Sequence, residues 1–212
     1  TFSEFAAENV TDLVLDLRYN GGGSVQTCVY LASMITGQFT DEIFSKQVWN
    51  SKLLAYFEEI NNNSNDNDDY ELNNYFLSET ADGVSLPSLN LNNVYVLATG
   101  RSASASELLI NGLASHVNVI HIGDTTYGKN VGSISLYDYV DTNNRSKNSN
   151  HTDAMQPIVV KSANSVDFSD YGNGLVPDLI LKERTTNLGV LGSTDESLLA
   201  AALSQINASS KY

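Results

Sequence analysis

One cysteine, three prolines and eleven basic residues are all that the 212 positions hold of those types. A single thiol, Cys28, excludes an intrachain disulfide and a metal-thiolate cluster; in the apolar stretch 25–35 it is expected to be a buried structural residue. Eleven Lys and Arg against 25 Asp and Glu give a formal charge of -14 and a pI near 4.3. Such a surface repels phosphate backbones and anionic lipid headgroups, so neither nucleic acid nor a membrane surface is an expected partner. No apolar run approaches the roughly 18 residues of a membrane span. Neither an initiator Met nor a signal segment opens the chain, which reads as a processed form or a piece of a longer protein, so this absence says nothing about the cell compartment.

What is present is ordinary globular material: 42% apolar and 17% charged residues. A chain of this length buries roughly 70% of its unfolded surface, enough for one large domain over 1–212. The pattern alternates between strand and helix, which predicts an α/β fold. A weak helix over 1–10 precedes a strand at 12–18 (DLVLDLR), closed by Gly21, Gly22 and Gly23. A helix follows over 25–36, stopped at Gly37, and the aromatic and β-branched stretch 43–57 is expected to be extended. Residues 61–69 (NNNSNDNDD) can bury nothing and predict an exposed, flexible Asn/Asp-rich insertion. Strands are expected at 94–98, 117–122, 131–140 and 157–160, helices at 104–115 and 195–206, and a turn at 170–174.

Several chemistries fail on their own terms. Gly123 to Lys129 matches the phosphate-loop pattern GxxxxGK, but Asn130 stands where Ser or Thr should hold magnesium, and a strand pattern follows instead of a helix. His116, His121 and His151 lack metal-ligand spacing, so no metal site is expected. There is no GxSxG elbow and no SxxK pair. Asn-x-Ser/Thr triplets such as those at Asn62 and Asn150 are expected by chance in so Asn-rich a chain.

What remains is the run Ser102-Ala-Ser104-Ala-Ser106-Glu107 between a strand and a helix, with Lys129 at a glycine turn 25 residues after Ser104. A serine with a lysine is a workable nucleophile and base. Ser104-x-x-Glu107 is equally a capping box, and spacing alone favours that role.

Taken with Asp16-Leu-Arg-Tyr-Asn-Gly-Gly-Gly23, Thr126-Tyr-Gly-Lys129 and Asp170-Tyr-Gly-Asn-Gly-Leu-Val-Pro-Asp178, this run resembles the C-terminal processing (tail-specific) family of serine proteases, in motif order and over most of the chain. The resemblance implies a crotonase-like (ClpP/crotonase-type) peptidase core and a Ser-Lys dyad of Ser104 and Lys129. Ala105 with Gly22 or Gly23 would supply the oxyanion amides, and Glu107 would remain a helix-start carboxylate. It implies a protein or peptide substrate bound as an added strand, an acyl-enzyme intermediate and no cofactor. The lysine would need an apolar wall, with Tyr127 and Val131 as candidates. Where the family often carries a lysine-orienting Gln, this chain has Ser133, which makes a degenerate protease one alternative. Another is an apolar-ligand or peptide-binding module, because the fold is similar to retinoid-binding repeats. A PDZ or other N-terminal region and a cell-envelope location are further implications of the resemblance.

Overall fold

A computed structural model describes residues 1–63, 70–141 and 146–209. In chain order the elements are α1 (Phe2–Ala7), β1 (Val14–Asp16), α2 (Val25–Thr36), β2 (Ile43–Trp49), α3 (Ser51–Asn63), β3 (Asn73–Tyr75), β4 (Asn93–Ala98), α4 (Ala105–Ala114) and β5 (Asn118–Gly123). The short strands β6 (Val131–Ser133), β7 (Leu136–Tyr137), β8 (Tyr139–Asp141), β9 (Ser146–Lys147) and β10 (Ala154–Met155) come next, then β11 (Ile158–Asn164), β12 (Leu179–Ile180) and α5 (Ser197–Ser209). They form two compact units, one of Thr1–Lys46, Asn73–Asn130 and Ala163–Tyr212, the other of Gln47–Leu72 and Val131–Ser162.

The first unit is built on a parallel sheet in the order β1-β4-β5-β12. In β4 alternate side chains enter two cores, as the period of a strand requires. Val94, Val96 and Ala98 pack with Val29, Ala32 and Ile35 of α2 and with Leu108, Leu109 and Leu113 of α4; Tyr95 and Leu97 pack with Leu198 and Ala202 of α5. A strand covered on both faces needs no polar alternation, which is why NVYVLA reads as a near-continuous apolar run. Helix α2 occupies the expected span because Ser24 accepts from Thr27 N–H at its start and Gly37 takes a positive φ at its end. Cys28 is buried in the first core, its thiol pushed up to about 12 by desolvation.

Arg18 is 2% exposed at the end of β1. Its guanidinium binds Asp16 at 2.7 Å, Glu183 at 3.1 Å and Glu196 at 3.0 Å, tying the strand to the start of α5. Burial pushes the Asp16 and Glu196 carboxyls up, but the bonds from Arg18, and for Glu196 also from the amides of Leu199 and Leu198, outweigh it and hold both below their ordinary values. Groups lowered by folding stabilise above their unfolded values and lose that stabilisation as pH falls. The melting temperature should therefore drop as the pH is lowered through about 4.5 and below. Replacing Arg18 by Ala strands the buried Glu196 and should cost about 3–4 kcal/mol, read from urea unfolding at pH 7.

In the second unit, α3 replaces the extended segment expected over 51–57. The Asn50 side chain accepts from the amides of Lys52 and Leu53, and Leu53, Leu54, Phe57 and Ile60 form one helical face. Phe57 stacks on Tyr70, with ring centroids 4.2 Å apart, and meets Trp49 edge to face at 5.0 Å. Of the expected insertion 61–69, the first three residues end α3 and the rest lies outside the described residues. The single strand expected over 131–140 is three short ones, because each finds a different antiparallel partner: β6 pairs with β11, β7 with β10 and β8 with β9.

Candidate active site

Three loops leave the carboxyl ends of β1, β4 and β5 side by side, the place where an open parallel sheet presents a ligand crevice. They carry the glycine run, the three serines and Lys129. Two of the serines are structural. Ser102 is fully buried and its hydroxyl donates to Leu17 O at 2.6 Å; Ser106 donates to Asn20 O at 2.9 Å. Ser104 lies between them, half-buried at the start of α4, with φ +58° and ψ -114°. A non-glycine residue held at positive φ stores on the order of 1–3 kcal/mol of strain, which persists only where the surroundings impose it.

The surroundings here are Glu107 and Gly22. The Glu107 carboxylate is fully buried and accepts four hydrogen bonds: from Ser104 N–H (2.9 Å), Lys129 N–H (2.8 Å), Gly128 N–H (2.6 Å) and the Thr126 hydroxyl (2.6 Å). The first of these is one half of the expected capping box and the Ser104 side chain facing the Glu107 N–H is the other, so both halves are present, although the hydroxyl falls short of a cap hydrogen bond. Gly22, at φ +111°, comes so close that a Cβ on it would stand 2.6 Å from Ser104 Cβ and 3.1 Å from Ala105 N. No other residue type fits there.

The remaining motifs close the assembly. Tyr127 N–H donates to Ser102 O, Thr126 Oγ1 accepts from Leu175 N–H at 2.7 Å, and Asn130 Nδ2 donates to Ser169 O at 2.7 Å. Gly128, at φ +94°, abuts the 170–174 turn so tightly that a Cβ would lie 2.4 Å from Gly172 O. Thus the glycine run, the serine run, the Thr126–Lys129 loop and the Tyr171–Leu175 turn meet around one carboxylate.

Of the expected oxyanion donors, Ala105 opens α4 with its nitrogen close to Gly22; the Gly22 amide donates to Asn20 Oδ1 at 2.8 Å, while Gly23 is exposed beside it. A cavity of about 150 Å³ adjoins these amides, floored by Leu17, Cys28, Leu31 and Leu109. Lys129 is exposed, and Tyr127 is 67% exposed, so Tyr127 does not form the expected apolar wall. Gly128 and Lys129 hold Glu107 through their backbone amides, so the Lys129 side chain is not needed in the buried nest. Ser133 belongs to the other unit, in β6 opposite Ile158. His121 is buried in β5, where desolvation depresses its ring, and among the described residues no group of three His, Cys, Asp or Glu could hold a metal ion.

Solved structures share this arrangement of elements. A protein of Bacteroides fragilis NCTC 9343 assigned to the S41 proteases is 25% identical, with a TM-score of 0.77 over 98% of this chain and 47% of its own. The photosystem II D1 C-terminal processing protease is 23% identical, with a TM-score of 0.54 over 85% of this chain and 37% of its own. Mature CPAF, 13% identical, gives 0.53 over 97% and 45%. The chain therefore spans about half, or less, of the length of these proteins. No curated protein matches it. The model of peptidase family S41 matches residues 1–152, and the chain belongs to that family of serine-type peptidases.

Proposed function

We propose that the chain is the core of a serine endopeptidase in which Ser104 is the nucleophile and Lys129 the general base. The observation that carries this reading is the contrast among the three serines: Ser102 and Ser106 spend their hydroxyls on carbonyls, while Ser104 is held strained by the carboxylate that also holds the Lys129 loop. In the reaction Ser104 Oγ attacks the scissile carbonyl and passes its proton to Lys129 Nζ. The amides of Ala105 and Gly23 stabilise the oxyanion, Gly22 having its own amide engaged. The proton goes to the departing amine as the C–N bond breaks, and water releases the acyl group by the same steps. Because Lys129 is exposed, the bound polypeptide strand is what excludes water from it.

The 150 Å³ cavity beside the oxyanion amides is suited to a substrate side chain. It is well below the roughly 300–1,000 Å³ of small-molecule sites and suits one group of about the size of benzene. It is the seat of the residue whose carbonyl is attacked. Substrates with Leu or Val there should exceed those with Asp or Lys by at least about 100-fold in kcat/KM, and Leu109→Phe should move the preference toward Ala.

A parallel sheet covered by helices on both faces supports the crotonase-like assignment. Cleavage near polypeptide C-termini, selection by a PDZ or other further region and a cell-envelope location follow from the resemblance of motifs; among the described residues no helix is long and apolar enough to cross a membrane. The test is digestion of an unfolded protein, with intact mass of the chain during turnover. A peptide adduct that appears on Ser104 and disappears with product supports the acyl-enzyme. Fragments without any adduct in rapid-quench samples, or no fragments at all, oppose it.

A further inference from the structure

A second cavity, of about 360 Å³, opens at the same carboxyl ends of the sheet and shares no lining residue with the first. Its walls include Tyr19, Arg101, Asp124, Glu183, Arg184 and Leu188. Its two acids are engaged: Glu183 binds Arg18 at 3.1 Å and accepts from the Tyr19 hydroxyl at 2.9 Å, and Asp124 binds Lys182 at 3.0 Å. Its two arginines are not, since among the described residues neither Arg101 nor Arg184 takes part in an ion pair. Arg101 and Arg184 thus place two exposed guanidinium forks on one cavity of a chain that has 11 basic against 25 acidic residues. Their backbones are fixed while the forks stay open: Arg101 N–H donates to Thr99 Oγ1, and Arg184 N–H to Asn187 Oδ1.

A guanidinium fork is matched in shape and charge to a carboxylate. Arg101 is three residues before Ser104, so their Cα atoms lie within about 11 Å. An extended substrate advances about 3.3 Å per residue and covers that distance in two to four residues. We propose that Arg101 and Arg184 bind a carboxylate on the leaving side of the substrate, within about four residues of the bond cut. This rests on the reading of Ser104 as nucleophile. The cavity beside the oxyanion amides takes the acyl side, and the second cavity takes the leaving side. The carboxylate is either the free C-terminus or an Asp or Glu side chain.

The test is binding to the Ser104→Ala chain, which needs no turnover. Three dye-labelled octapeptides of Leu and Ala are titrated by anisotropy: one with a free C-terminal carboxylate, one amidated, and one amidated with Glu in the last position. The acid should bind at least about 10-fold more tightly than the amide, and Arg101→Gln with Arg184→Gln should bring it down to the amide's affinity. Arg101→Lys should keep part of the preference, because charge survives without the fork. If the Glu amide recovers the affinity, side-chain carboxylates are accepted; if it does not, the site reads the C-terminus. Equal binding of all three peptides overturns the proposal, as does an acid preference that persists in the double variant. A wild-type chain that cuts nothing while the preference holds would overturn the nucleophile assignment and leave the carboxylate site standing.

Discussion

Replacing Ser104 by Ala should lower kcat for peptide hydrolysis by at least about 10⁴-fold, because loss of a serine nucleophile leaves only positioning and oxyanion stabilisation to act on water. Lys129→Ala should fall by a comparable factor. Stability separates this from a capping role. A cap serine replaced by Ala costs about 1 kcal/mol and leaves chemistry alone. Here the hydroxyl makes no ordinary cap bond while the backbone is held at φ +58°, so alanine inherits the strain and glycine escapes it. Ser104→Gly should accordingly melt about 3 °C above Ser104→Ala, both being inactive. Hydrolysis that survives in Ser104→Ala, or an alanine variant that is inactive only because it unfolds while the glycine variant retains activity, would reject the assignment. Lys129 is exposed, so Lys129→Ala should melt within about 0.5 kcal/mol of wild type, and its rate loss is then chemical.

How far these features were legible depends on where their determinants lie. Helix α2 and the parallel strands were readable because their signals are local: Ser24 and Gly37 bracket the helix, DLVLDLR has the alternation of a strand, and VYVLA has the composition of a strand buried on both faces. Helix α3 was misread because Trp49, Tyr56 and Phe57 favour strands by type, while the deciding features were the Asn50 cap and the spacing of 53, 54, 57 and 60. Alternation over 131–140 was real but silent about partners, and three partners made three strands. At the site, the serine and lysine motifs were visible as residue types. The burial of Glu107 was not, since its donors at 104, 126, 128 and 129 converge only in the fold; the available hint was a carboxylate leading the apolar run ELLINGLA of a core helix. Arg18 poses the same problem over a longer range, its partners Glu183 and Glu196 lying at the far end of the chain.

Glu107→Gln should be damaging out of proportion to the loss of one charge. Each carboxylate oxygen accepts two donors: Oε1 from Thr126 Oγ1 and Gly128 N–H, Oε2 from Ser104 N–H and Lys129 N–H. An amide keeps one acceptor oxygen and turns its NH₂ on the other pair, so two buried donors face a donor whichever way the side chain is flipped. At about 1–3 kcal/mol for each unsatisfied group the cost is about 2–6 kcal/mol, which lowers the melting temperature by roughly 5–20 °C in a chain of this size. Glu107→Ala leaves all four donors bare and should cost more. The consequence for rate is separate, because Glu107 is a positioning residue: it touches no substrate, yet it fixes the backbones of both Ser104 and Lys129. A displacement of about 1 Å between nucleophile and base costs on the order of 10²-fold. At 15 °C, where the Gln variant stays folded, kcat should drop by that factor with KM little changed. A Gln variant with wild-type kcat but a lowered melting temperature would assign Glu107 to stability alone. The joint loss is expected because the hydrogen bonds that stabilise the fold at this point are the ones that hold Ser104 at φ +58° beside the lysine loop.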